Sequence, residues 1–123
     1  MNIVTKNIYM KLKNWRVNNM LKGILLKTNN EYEIIEYTDD LHTLQDIVDG
    51  YIEYAPIKDN ICMIINEEGK LRNMEYNELA TRLFPFNDFI VGNALVVDTK
   101  DGENVSLNDS QIKIILNKLK ESE

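Results

Sequence analysis

The sequence predicts an α+β domain, a mainly antiparallel sheet packed by helices, in the order (α)ββαββαβ(β)α. Three observations predict it. Short apolar runs rich in Ile, Val and Tyr come in neighbouring pairs divided by turn residues. Between the pairs lie single segments whose apolar residues recur every three or four positions, as on one face of a helix. The chain has 123 residues, 44% hydrophobic and 28% charged, which is the size and composition of one globular domain. That composition excludes a coiled-coil rod, a collagen-like chain and a disordered acidic tail.

The elements follow in order. Residues 7–21 place Ile8, Leu12 and Trp15 at helical spacing, although three asparagines weaken the pattern. Residues 21–27 and 32–37 read as a hairpin around Thr28-Asn29-Asn30-Glu31, because Asn accepts positive φ. Thr38-Asp39-Asp40 supplies a helix cap, and Leu41, Leu44, Ile47 and Val48 give the apolar stripe of a helix over residues 40–49, with Gly50 as its stop. Residues 51–57 form a strand that Pro56 ends or confines to an edge. Residues 60–66 form a second strand, and Asn66-Glu67-Glu68-Gly69-Lys70 turns away from it with Gly69 at positive φ. A helix over 75–84 buries Leu79, Ala80 and Leu83 and stops before Pro85. Residues 89–97 read as one long strand with a bulge at Gly92. Residues 98–103, which contain Asp101-Gly102, read as a hairpin-type turn leading to a short return strand at Asn104 and Val105. Ser106 to Asp109 resembles a capping box for a C-terminal helix carrying Ile112, Ile115, Leu116 and Leu119.

Charge divides the chain at Met20. Residues 1–19 hold four bases and no acid, whereas residues 20–123 hold ten bases against twenty acids, a net −10. Either residues 1–19 are a basic N-terminal extension, or translation starts at Met20 and they are a mis-assigned leader; residues 20–123 are then the single α+β domain. An acidic body is a poor partner for phosphates, so direct nucleic-acid binding is disfavoured except through residues 1–19. It suits a protein with a basic surface. No apolar run is long enough for a membrane span, and no secretory signal is evident, so a reducing, cytoplasmic setting is expected.

Four blocks of residues carry a resemblance. They are Leu44-Gln45-Asp46-Ile47-Val48-Asp49-Gly50-Tyr51-Ile52-Glu53; Asn66-Glu67-Glu68-Gly69-Lys70-Leu71 with Asn77 and Ala80; Asp88-Phe89-Ile90-Val91-Gly92; and Ser106-Leu107 leading into Gln111-Ile112. In series, over roughly residues 20–118, they resemble the family DUF3846, a domain of unknown function of phages, plasmids and low-GC Gram-positive bacteria. The chain departs from the pattern at Asp49, where a second glycine often precedes the tyrosine. The resemblance implies a small accessory protein of a phage or mobile element, cytoplasmic in a bacterial host cell and with a host or phage protein as the basic partner, and brings no catalytic residues or cofactor with it.

The residues themselves offer two candidate sites. Asn66, Glu67, Glu68, Gly69 and Lys70, with Arg72, form a polar loop after an apolar strand, a place where an amide, carboxylates and a cation can surround a small ligand such as a signalling nucleotide. The glycine spacing is not that of a phosphate-binding P-loop. Asp39, Asp40, Asp46, Asp49 and Glu53, with Tyr51 and Tyr54, form an acidic, aromatic surface for a protein partner. The tyrosines at 32, 37, 51, 54 and 76 are expected in core or interface packing. Cys62, the only cysteine, is expected as a buried core thiol, and His42, the only histidine, at the surface. One Cys and one His make a tetrahedral zinc site or a Cys/His nucleophile pair implausible, so neither metal nor cofactor is expected. The expected function is a non-catalytic accessory binding protein, with inhibition of a host defence protein as one concrete form. Ligand sequestration and a homo-oligomer pairing through the edge at Pro56 or the C-terminal helix are the alternatives.

Overall fold

Alternating side chains place apolar residues on both faces of the strands, so the sheet they build must be covered twice. The computed structural model describes residues 20–121. The strands are β1 (Met20–Leu26), β2 (Tyr32–Thr38), β3 (Ile52–Lys58), β4 (Ile61–Asn66), β5 (Ala94–Lys100) and β6 (Glu103–Val105). The helices are α1 (Leu41–Val48), α2 (Glu78–Leu83) and α3 (Asp109–Glu121). Every ladder is antiparallel, and the sheet order is β2-β1-β5-β4-β3, with β6 extending along β5. The predicted α+β class and element order therefore hold over the described residues.

The two faces carry separate cores. Ile24, Leu26, Met63, Ala94 and Val96 lie under α2 and α3, against Leu79, Leu83, Ile112, Ile115 and Leu119. Ile35, Tyr37, Ile64, Leu95 and Val97 lie under α1, against Leu44 and Val48. β5 is central, so Ala94 to Val97 are all fully buried. That is why its apolar run shows no alternation.

Several boundaries differ from expectation, each for a local reason. Residues 89–97 are not one strand. Gly92 turns the chain at φ +75°, Val91 makes only an isolated bridge to Tyr76, and β5 starts at Ala94. The second helix begins at Glu78 because Asn77 caps it, accepting from the Ala80 N–H at 3.0 Å. The capping box of α3 is Asn108 with Gln111, two residues later than expected, and both reciprocal bonds measure 2.8 Å. Ser106 instead accepts the Lys22 N–H. Asp49, not Gly50, is the left-handed residue ending α1, at φ +63°. Gly69 does not take positive φ; Asn73 does, at 55°. Gly69 is required for space, since a Cβ there would meet Val91 Cγ2 at 2.8 Å. Met20 and Leu21 belong to β1, and the rest of the helix expected over 7–21, with the basic segment 1–19, lies outside the described residues.

Candidate functional site

Pro56 and the register shift between Pro56 and Lys58 interrupt β3, the edge strand beside β4. Against this edge the loop after α2 folds back, with Pro85 preventing helix continuation past Phe84. Between them lies a cleft of about 200 Å³. It is lined by Ala55 and Ile65 of the sheet, by Phe84, Phe89, Ile90 and Val91, and by the exposed Glu53, Glu67 and Lys70.

Two buried asparagines hold these parts together. Asn66 at the end of β4 donates to the carbonyls of Val48 and Asp49, both at 3.0 Å, and accepts the Glu68 N–H at 2.8 Å. Asn77 donates to the carbonyls of Leu26 at 3.0 Å and Gly92 at 2.8 Å while capping α2. Asn66 thus ties the loop after β4 to the end of α1, and Asn77 ties α2 to β1 and to the entry of β5. The loop over 84–91 has its own fastening. Lys70 Nζ sits 2.7 Å from Asp88 Oδ1 and 4.5 Å above the Phe89 ring. The Lys70 hydrogen bond, then the Phe89 N–H, hold the Asp88 carboxyl below its usual range.

The structure divides both predicted sets. From the proposed ligand loop, Asn66, Glu67 and Lys70 reach the cleft; Gly69 is buried under Val91, and Glu68 and Arg72 are exposed outside the cleft lining. Asn66 is occupied by its three hydrogen bonds. The two cations are already neutralised by separate carboxylates, Lys70 by Asp88 and Arg72 by Asp49 at 3.3 Å. From the acidic partner set, Glu53 and Tyr54 also line the cleft. Asp40 caps α1 by accepting the Thr43 N–H, Asp39 accepts from Asn104, and Asp46 lies 3.5 Å from exposed His42. Tyr51 is exposed beside β3.

The tyrosines do not act as one group. Tyr37 alone is core; Tyr32, Tyr51, Tyr54 and Tyr76 are exposed. Tyr54 reaches across the sheet to donate to Asn104 at 2.8 Å. Cys62 is half-buried rather than fully buried, and desolvation raises its pKa, which keeps it a thiol.

The sequence reading missed the aromatic wall. The chain has three phenylalanines, and all fall within Phe84-Pro-Phe86-Asn-Asp-Phe89. Phe84 and Phe86 pack edge to face, and Phe89 meets Tyr76 with ring centroids 6.2 Å apart. Phe86, Phe89, Tyr76 and Leu71 are nonetheless exposed, Leu71 by 82%. The three phenylalanines in six residues were the available signal. Lys70, Arg72 and Arg82 are each paired with a carboxylate, whereas Glu53 and Glu67, which line the cleft with Phe84 and Phe89, have no ion pair among the described residues. The cleft thus combines aromatic side chains with two unpaired carboxylates.

Among the described residues no group of three or more His, Cys, Asp and Glu is placed to hold a metal ion. No helix among them is long and apolar enough to cross a membrane. Fold and surface together define a small three-layer α+β domain with an acidic, aromatic cleft at one sheet edge. The pattern of the Domain of unknown function (DUF3846) matches residues 21–120, and the chain belongs to that family. Neither the curated proteins nor the solved structures provide a match. The blocks that carry the family resemblance include Asn66, Gly69, Asn77, Ala80 and Gly92, all buried here. Their visible work is holding the loops in place.

Proposed function

We propose that the protein is a non-catalytic binding module that engages another protein through the surface around the β3 cleft. The observation that carries this reading is the set of exposed aromatics Tyr76, Phe86 and Phe89, joined by the Tyr76–Phe89 and Phe84–Phe86 ring contacts, at a cleft lined by the unpaired carboxylates Glu53 and Glu67. A contiguous exposed apolar patch with a polar rim is the usual mark of a protein interaction site. Rigid aromatics supply most of the binding energy of such sites, and the rim charge selects a partner with a basic surface. A cleft of about 200 Å³ is below the ~300–1,000 Å³ usual for small-molecule pockets, which supports a macromolecular partner. In a phage or mobile-element setting, one concrete form is an accessory protein acting in the bacterial cytoplasm that covers the basic site of a host defence nuclease.

Affinity capture by the full chain from a lysate of its cell of origin tests this. One near-stoichiometric partner is expected, lost at high salt and weakened at least tenfold by Phe86→Ser/Phe89→Ser or Glu67→Lys/Glu68→Lys. The distant charge reversal Glu31→Lys/Glu103→Lys leaves it bound. No partner, or one indifferent to the patch variants, overturns the proposal.

A further inference from the structure

β3 is not only a wall of the cleft; its outer side is an unfilled place in the sheet. The Glu67 N–H donates to the Tyr51 carbonyl at 2.8 Å, which sets the phase of the β3–β4 ladder. In an antiparallel ladder inward- and outward-facing residues alternate. Glu53 and Ala55 therefore bond to β4, while Ile52 and Tyr54 each turn an N–H and a carbonyl outward. Pro56 turns out a carbonyl alone. Lys58, Pro56 and the register shift protect the far half of the edge, as edge strands commonly are. The near half, residues 51–55, carries no such device. β2 is the other edge, but the cleft and the aromatic loop adjoin β3.

We infer that residues 51–55 accept a short extended segment of the partner as an added antiparallel or parallel strand. Such a strand sends alternate side chains towards the face of Glu53 and Ala55, into the cleft under Phe84, Phe89 and Ile90. Those side chains are apolar. Lys or Arg two positions before or after them, on the same face of the added strand, meet Glu53 and Glu67, which have no ion pair among the described residues. The occupant is thus a strand of another protein in which every second residue faces the cleft, apolar at its centre and Lys or Arg at its ends. This inference rests on the protein-binding reading above and names how the partner is held.

The test uses the full chain and the peptide acetyl-Lys-Thr-Val-Thr-Leu-Thr-Lys-amide, whose Lys, Val, Leu and second Lys share one face, with two copies N-methylated at its odd or its even residues. Amide hydrogen exchange should show Ile52 and Tyr54 gaining at least tenfold protection on binding. One methylated copy should lose at least tenfold in affinity while the other retains it, because only alternate amides of an added strand face β3. Tyr54→Pro, which removes an outward N–H and leaves the β4 ladder intact, should abolish binding, while Tyr54→Phe keeps it. Circular dichroism checks that the variants are folded, and the methylated peptides keep the test decisive if Tyr54→Pro is not. Equal tolerance of both methylated copies, or protection at β2 instead, overturns strand addition. So does failure of the peptide to bind while the captured partner still depends on Phe86 and Phe89, and then the protein-binding reading stands. Absence of both peptide binding and a captured partner overturns the two together.

Discussion

At the scale of single residues, Asn77 has the most concentrated role. It is fully buried and satisfies two carbonyls and one N–H from three different parts of the chain. Asn77→Ala removes a helix cap and leaves two buried carbonyls without donors, an expected loss of about 2–4 kcal/mol in urea denaturation. Tyr37 is the opposite case. It is fully buried, and its hydroxyl has no hydrogen-bond partner among the described residues. Burial, then the charges of Asp39 and Tyr54, push its pKa far above the usual tyrosine range. Above about pH 10 the unfolded chain releases this proton while the folded one retains it, so stability falls as pH rises there. Tyr37→Phe should therefore leave stability at neutral pH unchanged or raise it by about 1 kcal/mol, and should flatten the alkaline decline. Both are read from melting curves at pH 7 and above pH 10.

At the scale of elements, the loop over residues 84–91 depends on the Lys70–Asp88 pair. Both side chains are about half exposed, so the pair orders the loop and adds little to global stability. Asp88→Asn should speed amide exchange in the loop and leave the melting temperature within about 2 °C. The carboxyl is held low by the Lys70 hydrogen bond first. Its contribution is thus present above the ordinary aspartate range and lost only as pH falls through that lowered value. The Phe89 amide resonance should accordingly move at a pH below the ordinary aspartate range. Elements whose signals are local were readable in the sequence: the 3–4 spacing of Leu41 to Val48, the Asn-Asn turn and the Asp101-Gly102 turn, with φ of 53° and 82°. The strand expected through Gly92 failed because its carbonyl is held by Asn77, fifteen residues earlier, which no periodicity reveals. Half of each predicted site was legible for the same reason. Polar residues after a strand mark a loop, but what faces them across a cleft is set by tertiary packing.

At the scale of the whole molecule, the acidic balance and the exposed aromatics point to one partner surface. Residues 20–123 carry a net −10, and the local bases Lys70, Arg72 and Arg82 are spent on internal pairs. Association with a basic partner should therefore be accelerated at low ionic strength, with the salt effect falling mainly on the on-rate and the Phe86 and Phe89 substitutions mainly on the off-rate. Sheet order was not legible, because pairing strand patterns does not say that a strand starting at residue 94 enters between two earlier hairpins.

That insertion of β5 has a consequence for biosynthesis. While the chain is still being made on the ribosome, β1–β2 and β3–β4 can close as separate hairpins, but nothing joins them until residues 94–100 have left the exit tunnel. Until then β1 and β4 each keep an inner edge unpaired, and the nascent chain carries two more adhesive strand margins than the finished protein. Slowing translation just before Ala94 would prolong that vulnerable interval and increase the burden on chaperones, without changing a single residue of the product.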